Sequence, residues 1–248
     1  MSAVAVLLIA IGIADACRMS ARGAWLPVVV GPVVVVACAA LCALWHIGDI
    51  ALLATAAAAT IAWQLLCARS ERADAHHLAP LTVFGVSLGL LIVLSGWAHK
   101  VGGGVALWSK WAALPLHGVS PTRLVMVVGV VLLQFATGNQ LVRLILASVG
   151  AVRRAGEPQP SDRLKGGRLL GPMERLLILS LGVGGQVAAA SAVVAAKGII
   201  RFPELNAQKS RNDNGTGVGI DEVTEYFLVG SFASWLLALG SMALVLAT

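Results

Sequence analysis

The chain has 248 residues, 58% of them hydrophobic and only 12% charged, with a mean hydropathy of +0.86. Soluble globular chains carry about 25% charged residues, and here the apolar residues run in long blocks instead of short amphipathic stripes, so a soluble domain is excluded. The net charge of +6 fits juxtamembrane basic residues facing anionic lipid and gives no reason to invoke nucleic acid.

Blocks of about 20 uncharged residues match the roughly 30 Å hydrocarbon layer. Backbone in lipid must satisfy its own hydrogen bonds, which blocks this long do as helices. The expected fold class is all-α, a polytopic transmembrane helical bundle of about seven spans. The first expected span is short, about Ser2 to Cys17, and carries Asp15 near its end. Ala14-Asp15-Ala16 before Cys17 loosely resembles a processing site, but no Lys or Arg precedes the apolar run, so a retained span is expected. The next three run about Ala24 to His46, Asp49 to Ala68 and Leu78 to Ala98. Trp25, Trp45 and Trp97 fall at span ends, where indole favours the headgroup level.

Between the fourth and fifth spans, "GVALWSKWAALP" places Leu107, Trp108, Trp111 and Leu114 along one helical face. That pattern suits a short interfacial helix; a re-entrant loop begun by Gly102, Gly103 and Gly104 is the alternative. The fifth span is expected at about Thr122 to Val149, the sixth at Pro172 to Ile200 and the seventh at Glu222 to Ala247. The polar, Pro- and Gly-rich stretch near Val152 to Gly167 reads as a solvated linker. Residues 1–150 then form a five-helix unit, 151–170 a basic cytoplasmic linker and 171–248 a two-helix unit. A second polar loop, about Asn206 to Ile220, holds "NDNGTGVG", whose glycines follow no strand and so make a poor phosphate cradle.

Loop charges set the orientation. Arg18, Arg22, Arg69, Arg72, Arg153, Arg154, Arg163, Lys165 and Arg168 fall on one side, against Lys100, Lys110, Arg123, Arg201, Lys209 and Arg211 on the other. The positive-inside rule puts the first set in the cytoplasm, with the N-terminus outside and the C-terminus inside. Cys17, Cys38, Cys42 and Cys67 all lie in or beside spans without metal-ligand spacing, so small apolar packing is expected and no metal is assigned.

The sixth span carries the densest chemistry. Pro172 suits a first helical position, Glu174 would then meet the positive end of the helix dipole, and Pro203 ends the helix. Leu176 to Ala196 is free of charge, so Arg175 and Lys197 read as anchors at opposite headgroup layers. Gly184, Ala188 and Ala192, with Gly185 and Ala189, form a small-residue stripe for close helix packing, and Gln186 is expected to bond a neighbouring helix. Lys197, Arg201 and Glu204 share a face, level with Glu225, beside Tyr226, at the start of the seventh helix. A Lys197–Glu225 or Arg201–Glu225 pair is expected near the outer surface, and Arg143, sharing a face with Asn139, is expected to pair with Glu174 at the inner one. The two clusters are open to two readings, structural clamps or the ends of a pathway. Asp15 costs about 2.5–3.5 kcal/mol if unpaired at mid-membrane; Arg18, one turn on, is the expected partner.

Three segments, "GGRLLGPMERLLIL", "AAKGIIRFPEL" and "EYFLVGSFASW", give the last third of the chain a resemblance to a family of bacterial multi-span membrane proteins known as a domain of unknown function. The family's Gly-x-x-x-Gly-x-x-Glu-Arg pattern falls on Gly167, Gly171, Glu174 and Arg175. Its Lys-x-x-x-Arg-Phe-x-Glu-Leu pattern falls on Lys197, Arg201, Phe202, Glu204 and Leu205. Relatives often begin with a His-x-x-Gly-Asp-Phe-type segment, whereas "GIADACR" keeps only Asp15. The resemblance implies a bacterial inner-membrane protein and supplies no reaction.

Three function classes follow. The first is transport or binding of an anionic small molecule or lipid headgroup at Lys197, Arg201 and Glu225. The second is a structural or assembly subunit, with a membrane-protein partner or a second copy. The third is a metal-free lipid-modifying enzyme, which is thin: the chain has no HExxH, no GxSxG and no paired-Asp motif, so no catalytic residue and no cofactor are assigned. Membrane lipids, anionic ones in particular, are the expected partners.

Overall fold

The computed structural model describes residues 1–20, 25–73, 76–112, 119–152, 167–211 and 220–248, and these are all-helical. Ten α-helices follow in order: α1 Ser2–Ser20, α2 Leu26–Cys42, α3 Ile47–Ala73, α4 Leu78–Val93, α5 Gly103–Trp111, α6 Pro121–Leu132, α7 Gly138–Ser148, α8 Gly167–Val183, α9 Val187–Arg211 and α10 Ile220–Leu246. A 3₁₀ turn, Leu94–Trp97, extends α4, and one π-helical turn, Leu133–Thr137, joins α6 to α7. Ser2–Met19, Ile47–Ala73, Leu78–Trp97, Pro121–Ser148 and Thr224–Leu246 are long and apolar enough to cross a membrane. The expected second span forms the shorter apolar helix α2, and the expected sixth is broken.

The helices divide into two compact units. The first holds Met1–Ala75, Ala79–Thr137 and Leu244–Thr248; the second holds His76–Leu78 and Gly138–Ala243. In the first unit α1 is the central element, packed on α2, α3, α6 and the π turn. Its sequence "AVAVLLIAI" is apolar on every face, the pattern of a helix enclosed by others, and Ala3 to Ile11 are all buried. The outer helices turn apolar side chains outward, among them Val33 and Val36 of α2 and Val86 and Val93 of α4, as contact with lipid tails requires. Trp25, Trp45 and Trp97 flank helix ends and are exposed. Between α4 and α6 the chain forms the short helix α5, whose Leu107, Trp108 and Trp111 are exposed; Leu114 lies outside the described residues.

The second unit departs most from the expected layout. No helix runs from Pro172 to Ile200. α8 begins at Gly167, five residues ahead of Pro172, which puts Pro172 inside the helix and Glu174 beyond the first turn. α8 ends at Val183, and α9 folds back along it. Ile178 and Leu181 of α8 pack with Ala190, Val193 and Val194 of α9 and with Trp235 and Ala238 of α10. The reversal is a Schellman turn: Gly185 has φ +79°, Gly185 N–H donates to Gly182 C=O at 3.1 Å, and Gln186 N–H donates to Leu181 C=O at 2.8 Å. Gln186 C=O then accepts from Ala190 N–H at 3.0 Å, which opens α9. Gln186 therefore works through its backbone, at an exposed turn, and not through a bond to a neighbouring helix. Gly184, Ala188 and Ala192 are exposed, so the small-residue stripe does not receive another helix.

Gly185 is the residue the turn requires, since an L side chain at positive φ costs roughly 1–2 kcal/mol. Gly185→Val is expected to lower stability in detergent by about that amount, while Gly185→Asn, which tolerates the left-handed region, loses less. Thermal unfolding of the two variants against wild type checks the ranking.

Candidate functional site

The reversal brings Glu174 and Lys197 together midway along the α8–α9 hairpin. Lys197 Nζ lies 2.5 Å from Glu174 Oε2, and Trp235 Nε1 of α10 donates to Glu174 Oε1 at 2.9 Å. Each carboxylate oxygen thus has its own donor, from a different helix. The Lys197 ammonium also sits 5.9 Å from the Trp235 ring centroid, within the reach of a cation–π contact. Both ion-pair members keep a solvent edge, with side chains 22% and 13% exposed.

Arg175, one residue on, points the other way and is 2% exposed. Its Nη2 donates to Asn139 Oδ1 of α7 at 2.8 Å and its Nη1 to Ser234 Oγ of α10 at 3.2 Å. The guanidinium lies flat against Gly138, with Gly171 beside it. Arg175 is therefore a buried crosslink of three helices and not a headgroup anchor.

The expected pairings change accordingly. Lys197 takes Glu174, not Glu225, because the folded-back arm carries it toward the start of α8; Glu225 is exposed and pairs with no cation among the described residues. Glu174 is held by Lys197 and Trp235 and not by Arg143, and Asn139 serves Arg175. Tyr226 is half-buried on α10, and Arg143 stands on α7. Arg201 and Glu204 lie on α9, but their side chains fall outside the described residues. Ser234 and Trp235 were missed. Trp235 stands well inside the last apolar block, away from the interfacial positions that tryptophan favours, and that misplacement was the available signal.

Asp15 forms a separate centre inside the first unit. It is 2% exposed and accepts from Gln64 Nε2 at 2.8 Å and from Trp63 Nε1 at 3.2 Å, while Arg18 Nη2 lies 3.6 Å away. Arg18 in turn reaches Glu71 Oε1 at 3.8 Å. Thr137, at the end of the π turn, is buried and its hydroxyl makes no hydrogen bond among the described residues. The carboxylate is thus surrounded by donors from α1 and α3, which offsets its transfer out of water. Gln64 and Trp63, polar handles in the middle of the third apolar block, were the unread signs of this network.

No family model, no curated protein and no solved structure matches the chain.

Removing Asp15 leaves the Trp63 and Gln64 donors without their acceptor and Arg18 with Glu71 alone. Asp15→Ala is expected to cost about 3–5 kcal/mol, the range for breaking a buried charge pair. Asp15→Asn keeps one acceptor and loses less. Denaturant or thermal unfolding in a neutral detergent reads the difference; equal stability of all three proteins would show the network to be dispensable.

Proposed function

We propose that the chain is a multi-pass bacterial inner-membrane protein that binds an oxyanion, the phosphate of a lipid headgroup or a free anion, at Lys197. The observation that carries this reading is the donor set around Glu174. An ammonium and an indole N–H converge on a carboxylate that is itself partly exposed, so an incoming phosphate finds both donors already aimed at an oxyanion position. Glu174 acts as the resident occupant and Lys197 exchanges it for the ligand. Arg175, buried in its own crosslinks, holds the three helices in register beneath the exchange. The three family-like segments fall on α8, α9 and α10, and they contain Glu174, Arg175, Lys197 and Trp235 together.

The hairpin also changes the membrane path. If α8 and α9 enter and leave on one side, the crossings are α1, α2, α3, α4, the α6–α7 helix and α10. Arg201, Lys209 and Arg211 then join the nine cytoplasmic cations, making twelve against Lys100, Lys110 and Arg123 outside. The positive-inside bias sharpens, and both termini lie outside. Ser2 Oγ donates to His99 C=O at 2.8 Å, which sets the start of α1 beside the end of α4, as alternating crossings demand. The open end of the hairpin then faces the anionic cytoplasmic leaflet, with Lys197 midway along α9.

A second reading has its own observation. Both Glu174 oxygens are already satisfied, so the cluster also fits a clamp in a structural or assembly subunit, working with a membrane-protein partner or a second copy.

Two measurements test this. Delipidated protein in neutral detergent is expected to gain several degrees in Tm with phosphatidylglycerol, about 2.7 kcal/mol at 100 times Kd, and little with phosphatidylcholine; inorganic phosphate reports on a free anion. Lys197→Gln should remove the shift. A lower basal Tm with the lipid shift intact, restored by combining Lys197→Glu with Glu174→Lys, would instead establish the clamp. For the path, single cysteines at positions 160 and 209 in a cysteine-free background are expected to react with impermeant reagent from the cytoplasmic side alone. Labelling of 209 from outside would make α8–α9 a through-crossing.

A further inference from the structure

At the end of the first unit where α1 begins, three side chains meet that the sequence reading left out of any site. His46 and Asp49 flank the start of α3, and His99 follows the 3₁₀ turn after α4. His46 Nδ1 lies 3.4 Å and His99 Nδ1 3.1 Å from the same oxygen, Asp49 Oδ2. The two imidazoles stack with centroids 3.8 Å apart and planes 16° from parallel. One donor atom from each residue fits within a mutual distance of 4.8 Å.

The decisive feature is Asp49. It is 2% exposed, deep enough that an unmatched oxygen is costly. Its Oδ1 accepts from His99 N–H at 2.8 Å, but Oδ2 is buried and accepts no hydrogen bond. That oxygen is the one both ring nitrogens approach. The surroundings hold this arrangement in place. Ser2 Oγ fixes the His99 carbonyl, the Asp49 carboxylate fixes its amide, and Gly48 lets α3 approach the 3₁₀ turn, where a Cβ would lie 2.8 Å from Trp97 C=O. These are the outer-shell contacts that orient ligands around a metal ion.

We propose that His46, Asp49 and His99 form a binding site for a divalent transition-metal ion of the zinc class. A tetrahedral centre with bonds of about 2.0–2.1 Å spaces its ligand atoms about 3.3–3.4 Å apart, close to the two measured separations. Two imidazole nitrogens select against magnesium and calcium, which prefer all-oxygen shells. Three protein ligands leave one position open, the pattern of a site that binds an exchangeable water or ligand and not of a closed structural site. The His46 and His99 side chains are 64% and 53% exposed, so a hydrated ion has direct access. The sequence alone assigns no metal because the ligands are separated by most of α3 and α4, and only the His46–Asp49 spacing at a helix start is local.

The test uses full-length protein carrying a tag without histidines, stripped with a chelator in neutral detergent. Cobalt(II) titration is expected to give visible absorption of a four-coordinate centre at one ion per chain, displaced by zinc. His46→Ala and His99→Ala, both at exposed positions, should fold and weaken binding more than about 100-fold, beyond the ~10–100-fold of outer-shell losses. A His76→Ala, His77→Ala double variant should bind as wild type. Absence of stoichiometric cobalt, unchanged affinity in the His46 and His99 variants, or loss in the control alone would each overturn the assignment.

Discussion

The contact between Lys197 and Glu174 organises the second unit, because it exists only if the chain reverses between them. A straight helix would set the two groups about 35 Å apart, at 1.5 Å per residue, each left to reach its own headgroup layer. With the reversal they meet at 2.5 Å, and the indole of Trp235 completes the carboxylate's shell. Arg175 ties the same helix to others. Fixed on α8 by its place next to Glu174, it reaches Asn139 and Ser234 on two further helices. Six polar side chains thus gather into two clusters along α8.

The first unit solves the same problem by enclosure. α1 carries an Asp in an otherwise apolar helix, and it is the helix most completely wrapped by others. Wrapping lets α3 present Trp63 and Gln64 to the carboxylate from within the bundle. Trp63 also packs its ring against Phe84 of α4, with centroids 5.5 Å apart. The indole therefore couples an apolar contact outward to a polar contact inward. The π turn at Leu133–Thr137 adds one residue to a helical turn, a local widening frequent at functional positions, and it sets the buried Gln134 and Thr137 on the inner side.

Much of the architecture was legible because apolar block length is a direct readout of bilayer thickness. The blocks around Asp49 to Ala68, Leu78 to Ala98, Thr122 to Val149 and Glu222 to Ala247 each correspond to a helix able to cross. Charge type was legible too: Asp15, Glu174, Arg175 and Lys197 stood out as polar groups in apolar sequence. Their partners were not, since pairing depends on which helices are neighbours and which way each runs. Lys197 is expected against Glu225 only if the sixth helix is straight, and the reversal gives it Glu174 instead. His46 and His99 escaped notice for a related reason, being joined only by folding.

The misreading has a physical source in the stretch Leu176 to Ala196. Its length suits a crossing, and its small residues suit helix packing, so length and composition favour a single span. Against them stands one local signal, adjacent Gly184 and Gly185, which cost a helix interior about 1 kcal/mol each relative to Ala but fit a Schellman turn. The usual objection to a turn at membrane depth is unpaired backbone. Here the objection does not hold, because the amides of Gly184, Gly185 and Gln186 all donate within α8, at 2.9, 3.1 and 2.8 Å. A reversal that pairs these three donors reduces the penalty that would otherwise favour a straight helix. What remains is the gain from pairing Lys197 with Glu174, and that gain tips the block toward the hairpin.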